Sequence, residues 1–332
     1  MGIMNKSCFD EYVFVSPGSD YGNAMWSDLR NRNNCVYVDR IIDSTNKIVN
    51  IAHHAHFSFR INQMVTMPFK SIWQRKYSLQ RVNFNNNKRY CIILTDVSAC
   101  RIDVEYLKKL SRKPNVSLIL VFVNVVSKKK PLTDCRLKYF DRVFSFDKLD
   151  CEKYGFIYHP TIYSVPTRAD GLGRKSDAFF VGSYTPKRYD SLIRLYRKMK
   201  RAGLRTDFHI VGVPSTEKRI NGIKYKSLEY EEILKRIQYT DCIIEIMNNG
   251  QVGHTLRAME AICLNKKLLT DNRTVKDLEY YNKGYIRYCN PIDSCDTDFL
   301  KNREIIDYNY RGEFSPNRLI EHIEYVCCEG IK

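Results

Sequence analysis

Asp241–Asn272 reads DCIIEIMNNGQVGHTLRAMEAICLNKKLLTDN. A short apolar run, Cys242-Ile243-Ile244, ends in Glu245 and Met247. A polar turn follows, Asn248-Asn249-Gly250-Gln251. An amphipathic segment from Gly253 to Leu264 then leads to a second apolar run, Leu268-Leu269-Thr270. The pattern predicts strand, glycine-bearing loop, helix and strand, a βαβ unit. The first turn of a helix presents unpaired N–H groups and partial positive charge, which suit an anion. This helix would enter at Gly253 and Thr255, with Arg257 one turn in. Glu260, seven residues after Gly253 and so about two turns on, shares its face. A phosphate at the helix start and a carboxylate along it can hold the two ends of a nucleotide diphosphate. The plain alternative is an ordinary βαβ unit whose polar residues are solvated.

The same alternation extends outward. Upstream come a strand at Ala178–Val181, the loop Gly182-Ser183-Tyr184-Thr185-Pro186-Lys187-Arg188, a helix from Tyr189 to Ala202 stopped by Gly203, a strand at Phe208–Val211 and a helix at Tyr230–Tyr239. Downstream come a short helix at Val275–Tyr281, a strand at Tyr285–Tyr288 and a terminal helix at Pro316–Val326. The first half predicts strands at Tyr12–Ser16, Cys35–Val38, Tyr90–Thr95, Val116–Val123 and Arg142–Phe146, with helices at Ala24–Arg30 and Val104–Arg112. Alternating strands and helices imply parallel sheets with right-handed crossovers. Between about Tyr163 and Asp177 the composition turns polar and basic, with Pro166, Gly171 and Gly173, which marks a connector between two α/β halves.

Composition agrees. A chain of 332 residues with 44% hydrophobic residues is globular and long enough for two domains. No apolar run approaches the roughly 20 residues of a spanning helix. The N-terminus shows no apolar signal region, and Lys6 stands where myristoylation needs Ser or Thr. Twelve cysteines without a CxxC pair predict free thiols in a reducing cytosol and neither a disulfide framework nor a zinc site. The formal net charge is +17, and residues 1–165, with 25 basic and 14 acidic side chains, hold +11 of it. Such an excess suits nucleic acid, an anionic membrane or a phosphorylated substrate. No nucleic-acid-binding signature accompanies it.

Three places in the first half are candidates for chemistry or contact. The loop Pro17–Asn23, after the first strand, is a usual ligand position in α/β sheets, and Asp20 lies in it. His53, His54 and His56 have spacings that do not converge on one helical face, which disfavours a metal site and leaves a single base, taken as His54. The run from Phe69 to Arg89 is basic and aromatic. Lys70, Trp73, Arg75, Lys76 and Tyr77 fit a lipid headgroup layer or an acceptor, or else a solvated loop.

FFVGSYTPKRYDSLIRLY, with Gly182 after the strand and Lys187 or Arg188 opening the helix, resembles the first βα unit of the nucleotide-binding domain in GT-B glycosyltransferases. QVGHTLRAMEAICLNKKLLTDN resembles the donor-sugar segment of the retaining members, where a Glu-x7-Glu pattern precedes a helix of small residues and a strand. Glu260 and Ala261 match the second Glu and its neighbour. The first Glu would fall at Val252 and is missing, so Glu245 and Gln251 are the candidates to replace it. The whole chain, including DRVFSFDKLDCEKYGFIYHP, looks like bacterial glycosyltransferases of lipopolysaccharide-core or capsule synthesis.

The resemblance implies two Rossmann-like domains facing across a cleft. Residues 1–165 would form the acceptor side, 178–312 the nucleotide-sugar side, and 313–332 a helix returning to the first domain. It implies a cytoplasmic, peripheral-membrane enzyme that needs no metal and no cofactor. Its partners would be a nucleotide-sugar donor, a glycan or lipid-linked acceptor and an anionic membrane surface, with no nucleic acid. Glu260 would hold the ribose, Lys187, Arg188 and Arg257 the diphosphate, and Gly182, Gly253 and Thr255 would shape the donor site. Asp20 and His54 are the candidate catalytic groups. The competing readings are a non-catalytic nucleotide-sugar or glycan binder with a degenerate fold, which the missing first Glu favours, and a nucleic-acid binder supported by charge alone.

Overall fold

The computed structural model describes residues 7–65, 67–126, 136–166, 175–248 and 253–329. The chain forms two compact units, Met1–Ser164 with Glu313–Lys332, and Val165–Gly312.

The first unit is built on six parallel strands: β1 (Glu11–Val15), β2 (Cys35–Val38), β3 (Tyr90–Thr95), β4 (Val116–Phe122), β5 (Arg142–Ser145) and β6 (Ile157–Tyr158), in the order β2-β1-β3-β4-β5-β6. Val13 pairs with Val36 on one side and Ile92 on the other. Every residue of β3 is buried, because crossover helices cover both faces of a parallel sheet, and its sequence YCIILT is accordingly apolar without alternation. The terminal helix, Pro316–Glu329, belongs to this unit. Glu324 accepts from Ser7 Oγ at 2.6 Å and Tyr12 Oη at 2.5 Å, and Leu319, Ile320 and Ile323 are buried.

The second unit repeats the plan with β7 (Ser176–Ser183), β8 (Thr206–Val211), β9 (Ile223–Lys224), β10 (Thr240–Glu245), β11 (Lys267–Thr270) and β12 (Ile286–Tyr288), ordered β12-β11-β10-β7-β8-β9. All its pairings are parallel. Counted within the unit, this is the 3-2-1-4-5-6 order of the dinucleotide-binding fold, and the direction of winding reverses between β7 and β10. The helix Pro186–Arg201 packs Leu192, Leu195 and Met199 onto this sheet.

Several expectations change. The helix placed at Ala24–Arg30 is a helix at Asp20–Met25 followed by a 3-10 turn at Ser27–Asn31. Val275–Tyr281 is a 3-10 turn at Arg273–Asp277, opened by the Asn272 side chain, which accepts from the Thr274 amide. Cys8 and Cys328 are joined in a disulfide with their Cα atoms 5.8 Å apart, where free thiols were expected, because the terminal helix brings the two ends of the chain together. The run Lys128-Lys129-Lys130-Pro131, which the sequence predicts to be an exposed basic turn, lies outside the described residues, as does much of the connector. No helix among the described residues is long and apolar enough to cross a membrane.

Candidate functional site

In an open α/β sheet the crevice for a ligand forms beyond the carboxyl ends of the strands where the winding reverses, because the two loops leave toward opposite faces. In the second unit these loops follow Ser183 of β7 and Glu245 of β10. One side chain laces them together. Arg188 Nε donates to Ile246 O at 2.8 Å, and its Nη1 donates to Ser183 O at 3.0 Å. Gly182 makes this possible, since a Cβ there would stand 3.0 Å from Phe180 Cζ and 3.3 Å from Arg188 Nη1. Burial pushes the Arg188 guanidinium pKa down, while Asp271 and Glu245 pull it back up. Two of its nitrogens are therefore committed to the backbone, and Nη2 has no protein partner among the described residues. Lys187 beside it is exposed, and its ammonium lies within electrostatic reach of Asp271. Pro186 occupies the first helical position, Thr185 makes no side-chain cap, and the first turn carries no acid.

The β10 loop is closed from below by Glu245. Thr255 Oγ1 donates to one of its carboxylate oxygens and Thr270 Oγ1 to the other. Burial raises the Glu245 pKa against these two bonds. The helix Leu256–Cys263 has no side-chain cap from Thr255 and no acid in its first turn. Its leading amides are thus left for an acceptor of another kind. Gly253 turns the chain at φ 96°, in the left-handed region where glycine is at ease, and its carbonyl accepts from Asn272 Nδ2 at 3.0 Å. Asp271, which the sequence reading passed over, holds the same loop by accepting from the Met247 amide at 2.8 Å. Gln251 lies outside the described residues.

Glu260 is where the structure corrects the resemblance most. It is 0% exposed, and its carboxylate accepts from Tyr230 Oη at 3.0 Å and from Arg257 Nη1. Burial raises its pKa, opposed first by Arg257 and then by Tyr230. A carboxylate sealed in this way offers no oxygen to ribose; it fixes Arg257, on the same helix face, and Tyr230 of the preceding helix. The helix carries no other acid, and Ala258 through Cys263 are all buried. An acid inside an all-buried helix, with Arg three residues before it, is the sequence signal of an internal pair.

In the first unit, Asp20 is exposed and opens the helix capped by Ser19, whose Oγ accepts from the Gly22 amide at 3.1 Å. His54 is exposed, and burial followed by the charge of Arg101 lowers its pKa. No hydrogen bond or ion pair joins Asp20 to His54 among the described residues. What relates their segments is Arg101, another residue the sequence reading missed. Its Nη1 donates to Pro17 O at 3.2 Å, and its carbonyl meets His53 Nε2 at 3.1 Å. His53 itself is buried. Trp73 and Tyr77 are core residues and not interfacial ones: Trp73 Nε1 donates to His56 Nδ1 at 2.8 Å, and Tyr77 Oη receives the Asp103 amide at 2.8 Å. Lys70 Nζ donates to Asn62 Oδ1 at 2.8 Å, whereas Arg75 and Lys76 are exposed. Among the described residues no cluster of His, Cys, Asp and Glu has the arrangement of a metal site.

Neither a protein-family model nor a curated protein sequence matches the chain. Solved structures do. The glycotransferase of kitacinnamycin superposes with a TM-score of 0.53 at 9% identity, over 95% of this chain and 98% of that one. A Listeria monocytogenes protein assigned as a UDP-N-acetylglucosamine 2-epimerase superposes with a TM-score of 0.51 at 11% identity, over 95% and 96%. S. aureus TarM matches at a TM-score of 0.43 and 13% identity over 64% of this chain, which spans 48% of TarM's length. At such identities the likeness is one of fold, and with the two parallel six-stranded sheets it makes this chain a two-domain α/β protein of the GT-B type.

Proposed function

We propose that the second unit binds a nucleotide-sugar at its switch point, and that the chain is a glycosyltransferase moving a hexosyl or related group to a glycan or lipid-linked acceptor in cell-surface polysaccharide synthesis. The observation that carries this is the clustering at one switch point of Lys187, the laced Arg188 and the uncapped starts of two helices. Glycosyl transfer leaves a diphosphate with new negative charge. Fixed N–H dipoles and cations stabilise that charge most as it develops, which is what accelerates the step. Lys187, Arg188 Nη2 and the amides opening the Leu256–Cys263 helix are the donors for it, with no metal required. Glu260 acts through Arg257, whose guanidinium it holds. That one structural neighbour is named a glycotransferase, and another after a UDP-sugar substrate, supports a nucleotide-sugar donor. The first unit takes the acceptor side, with Asp20 and His54 as candidate catalytic groups and an anionic membrane as the surface where a lipid-linked acceptor is met.

The sealed Glu260 favours one rival, a nucleotide-sugar binder without turnover. Incubation with a panel of nucleotide-sugars, with and without a chelator, and detection of released nucleoside diphosphate separates the two. Release by the parent protein that falls in Lys187→Ala supports transfer. Tight donor binding with no release, even with acceptor glycolipids present, supports the binder.

A further inference from the structure

The segment of the first unit read as a membrane contact has Trp73 and Tyr77 inside, yet it and the helices before it expose a different apolar set. Of the sixteen large apolar side chains exposed among the described residues, seven fall between residues 48 and 72. They sit on three short elements, the helices Lys47–His56 and Phe59–Met64 and the turn Lys70–Lys76. The elements are tied together on their inner side: His56 Nε2 meets Pro68 O at 2.7 Å, its Nδ1 receives Trp73 Nε1, and Asn62 Nδ2 donates to His56 O at 2.9 Å. On the first helix Ile48 and Ile51 lie one turn apart, roughly opposite the buried His53 by helical geometry. Met64 is 86% exposed, Phe69 77% and Ile72 60%.

Phe69 is informative in a second way. It stands at φ 59°, ψ 32°, the left-handed region that a bulky residue enters at a cost, and it does so with its ring in solvent.

Along this stretch of chain the charge is of one sign, with Asp43 and Asp103 bordering it. From Ser44 to Thr95 there is no Asp or Glu, against eight Lys and Arg. Lys47, Arg60, Arg75 and Lys76 are exposed and form no ion pair among the described residues. Exposed aliphatic side chains interleaved with unopposed cations match an anionic bilayer, where apolar groups enter the acyl boundary and cations meet headgroups. A nucleic acid would use the cations and gain nothing from the aliphatic groups.

We propose that this face of the first unit, with Ile48, Ile51, Met64, Phe69 and Ile72 as its inserting residues, docks the protein on an anionic lipid surface. This specifies the membrane part of the reading above and is independent of sugar transfer.

The test is co-sedimentation of the full chain with vesicles of phosphatidylcholine alone, or of phosphatidylcholine with phosphatidylglycerol, at low and high salt. The parent protein is expected to bind the anionic vesicles, and less so in high salt. Phe69→Asn, which suits the left-handed backbone, is expected to keep the melting temperature and nucleoside diphosphate binding while weakening vesicle binding about tenfold. Arg75→Gln with Lys76→Gln is expected to cost a further factor of about 10 or more on anionic vesicles and to change nothing on neutral ones. Absence of parent binding to anionic vesicles overturns the proposal, as does unchanged vesicle binding by Phe69→Asn. Sedimentation equilibrium showing a parent dimer that Phe69→Asn dissociates, with no vesicle binding by either, assigns the face to a second copy of the chain. Because nucleoside diphosphate binding is measured on the same samples, failure of the donor site is seen separately.

Discussion

The two units share a sheet plan and differ in how each switch point is stitched. In the first, the winding reverses between β1 and β3, and the stitch is neutral: Ser98 Oγ donates to Val15 O at 2.9 Å. Arg101 beside it spends a nitrogen on Pro17 O, and the strand end carries the buried acid Asp96, which accepts from the Val123 amide and Asn124 Nδ2. In the second, the stitch is itself a cation, with exposed Lys187 next to it and helix starts free of acids. The second reversal thus presents an exposed lysine beside a laced arginine, with the acids Glu245 and Asp271 behind them, where the first spends its arginine on a loop carbonyl. This difference is why we propose the nucleotide site in the second unit.

Removing each stitch in turn should have unequal effects. Arg188→Met deletes two charge-assisted hydrogen bonds and strands two carbonyls, so it is expected to cost about 3–5 kcal/mol and to abolish diphosphate binding. Ser98→Ala in the first unit should cost only about 1 kcal/mol and leave that binding intact. Denaturant melts and calorimetry on the two variants check this; similar losses in both would mean that the two stitches are equivalent.

The units should also answer pH in opposite senses. In the first, burial pushes buried His159, beside His322, and buried His53 down to about 4. Folding therefore favours their neutral forms, and stability is lost as pH falls from about 6.5 toward 4, by about 2 kcal/mol per histidine at pH 5. In the second unit burial raises the pKa of Glu245 and Glu260. Folding favours their protonated forms, so their contribution shrinks as pH rises above the ordinary glutamate range. Hydrogen exchange followed at pH 5 and pH 7 should show the first unit losing protection at the lower pH more than the second. His159→Phe with His53→Phe should flatten that loss, and an unchanged profile in that variant would remove the histidines as its cause.

Much of the fold was legible because parallel strands buried on both faces read as continuous apolar runs, as in YCIILT and VSLILVF. The strands β6 and β9, two residues each, are too short to leave a pattern. The helix Lys47–His56 escaped because its apolar pair, Ile48 and Ile51, faces outward, the reverse of the usual signal. Trp73 and Tyr77 were misplaced by their cationic neighbours, and the 3-10 turn Lys70–Lys76 that precedes Tyr77 leaves no α-helical spacing to read. At the site, Gly182 and the cations Lys187 and Arg188 were visible in sequence. That Arg188 would turn inward, and that Tyr230 would cover Glu260, depends on contacts 58 and 30 residues away. No local spacing reveals such contacts.

Titration calorimetry of the parent and Lys187→Ala with nucleosides and their diphosphates reads the proposed diphosphate site at the β7–β10 reversal. Lys187 is exposed and outside the lacing, so its loss should leave the melting temperature unchanged. At least one nucleoside diphosphate is expected to bind the parent, with about tenfold weaker binding by Lys187→Ala and equal binding of the corresponding nucleoside by both. Failure of every diphosphate to bind the parent, or equal diphosphate affinity in the two proteins, would contradict the proposed site.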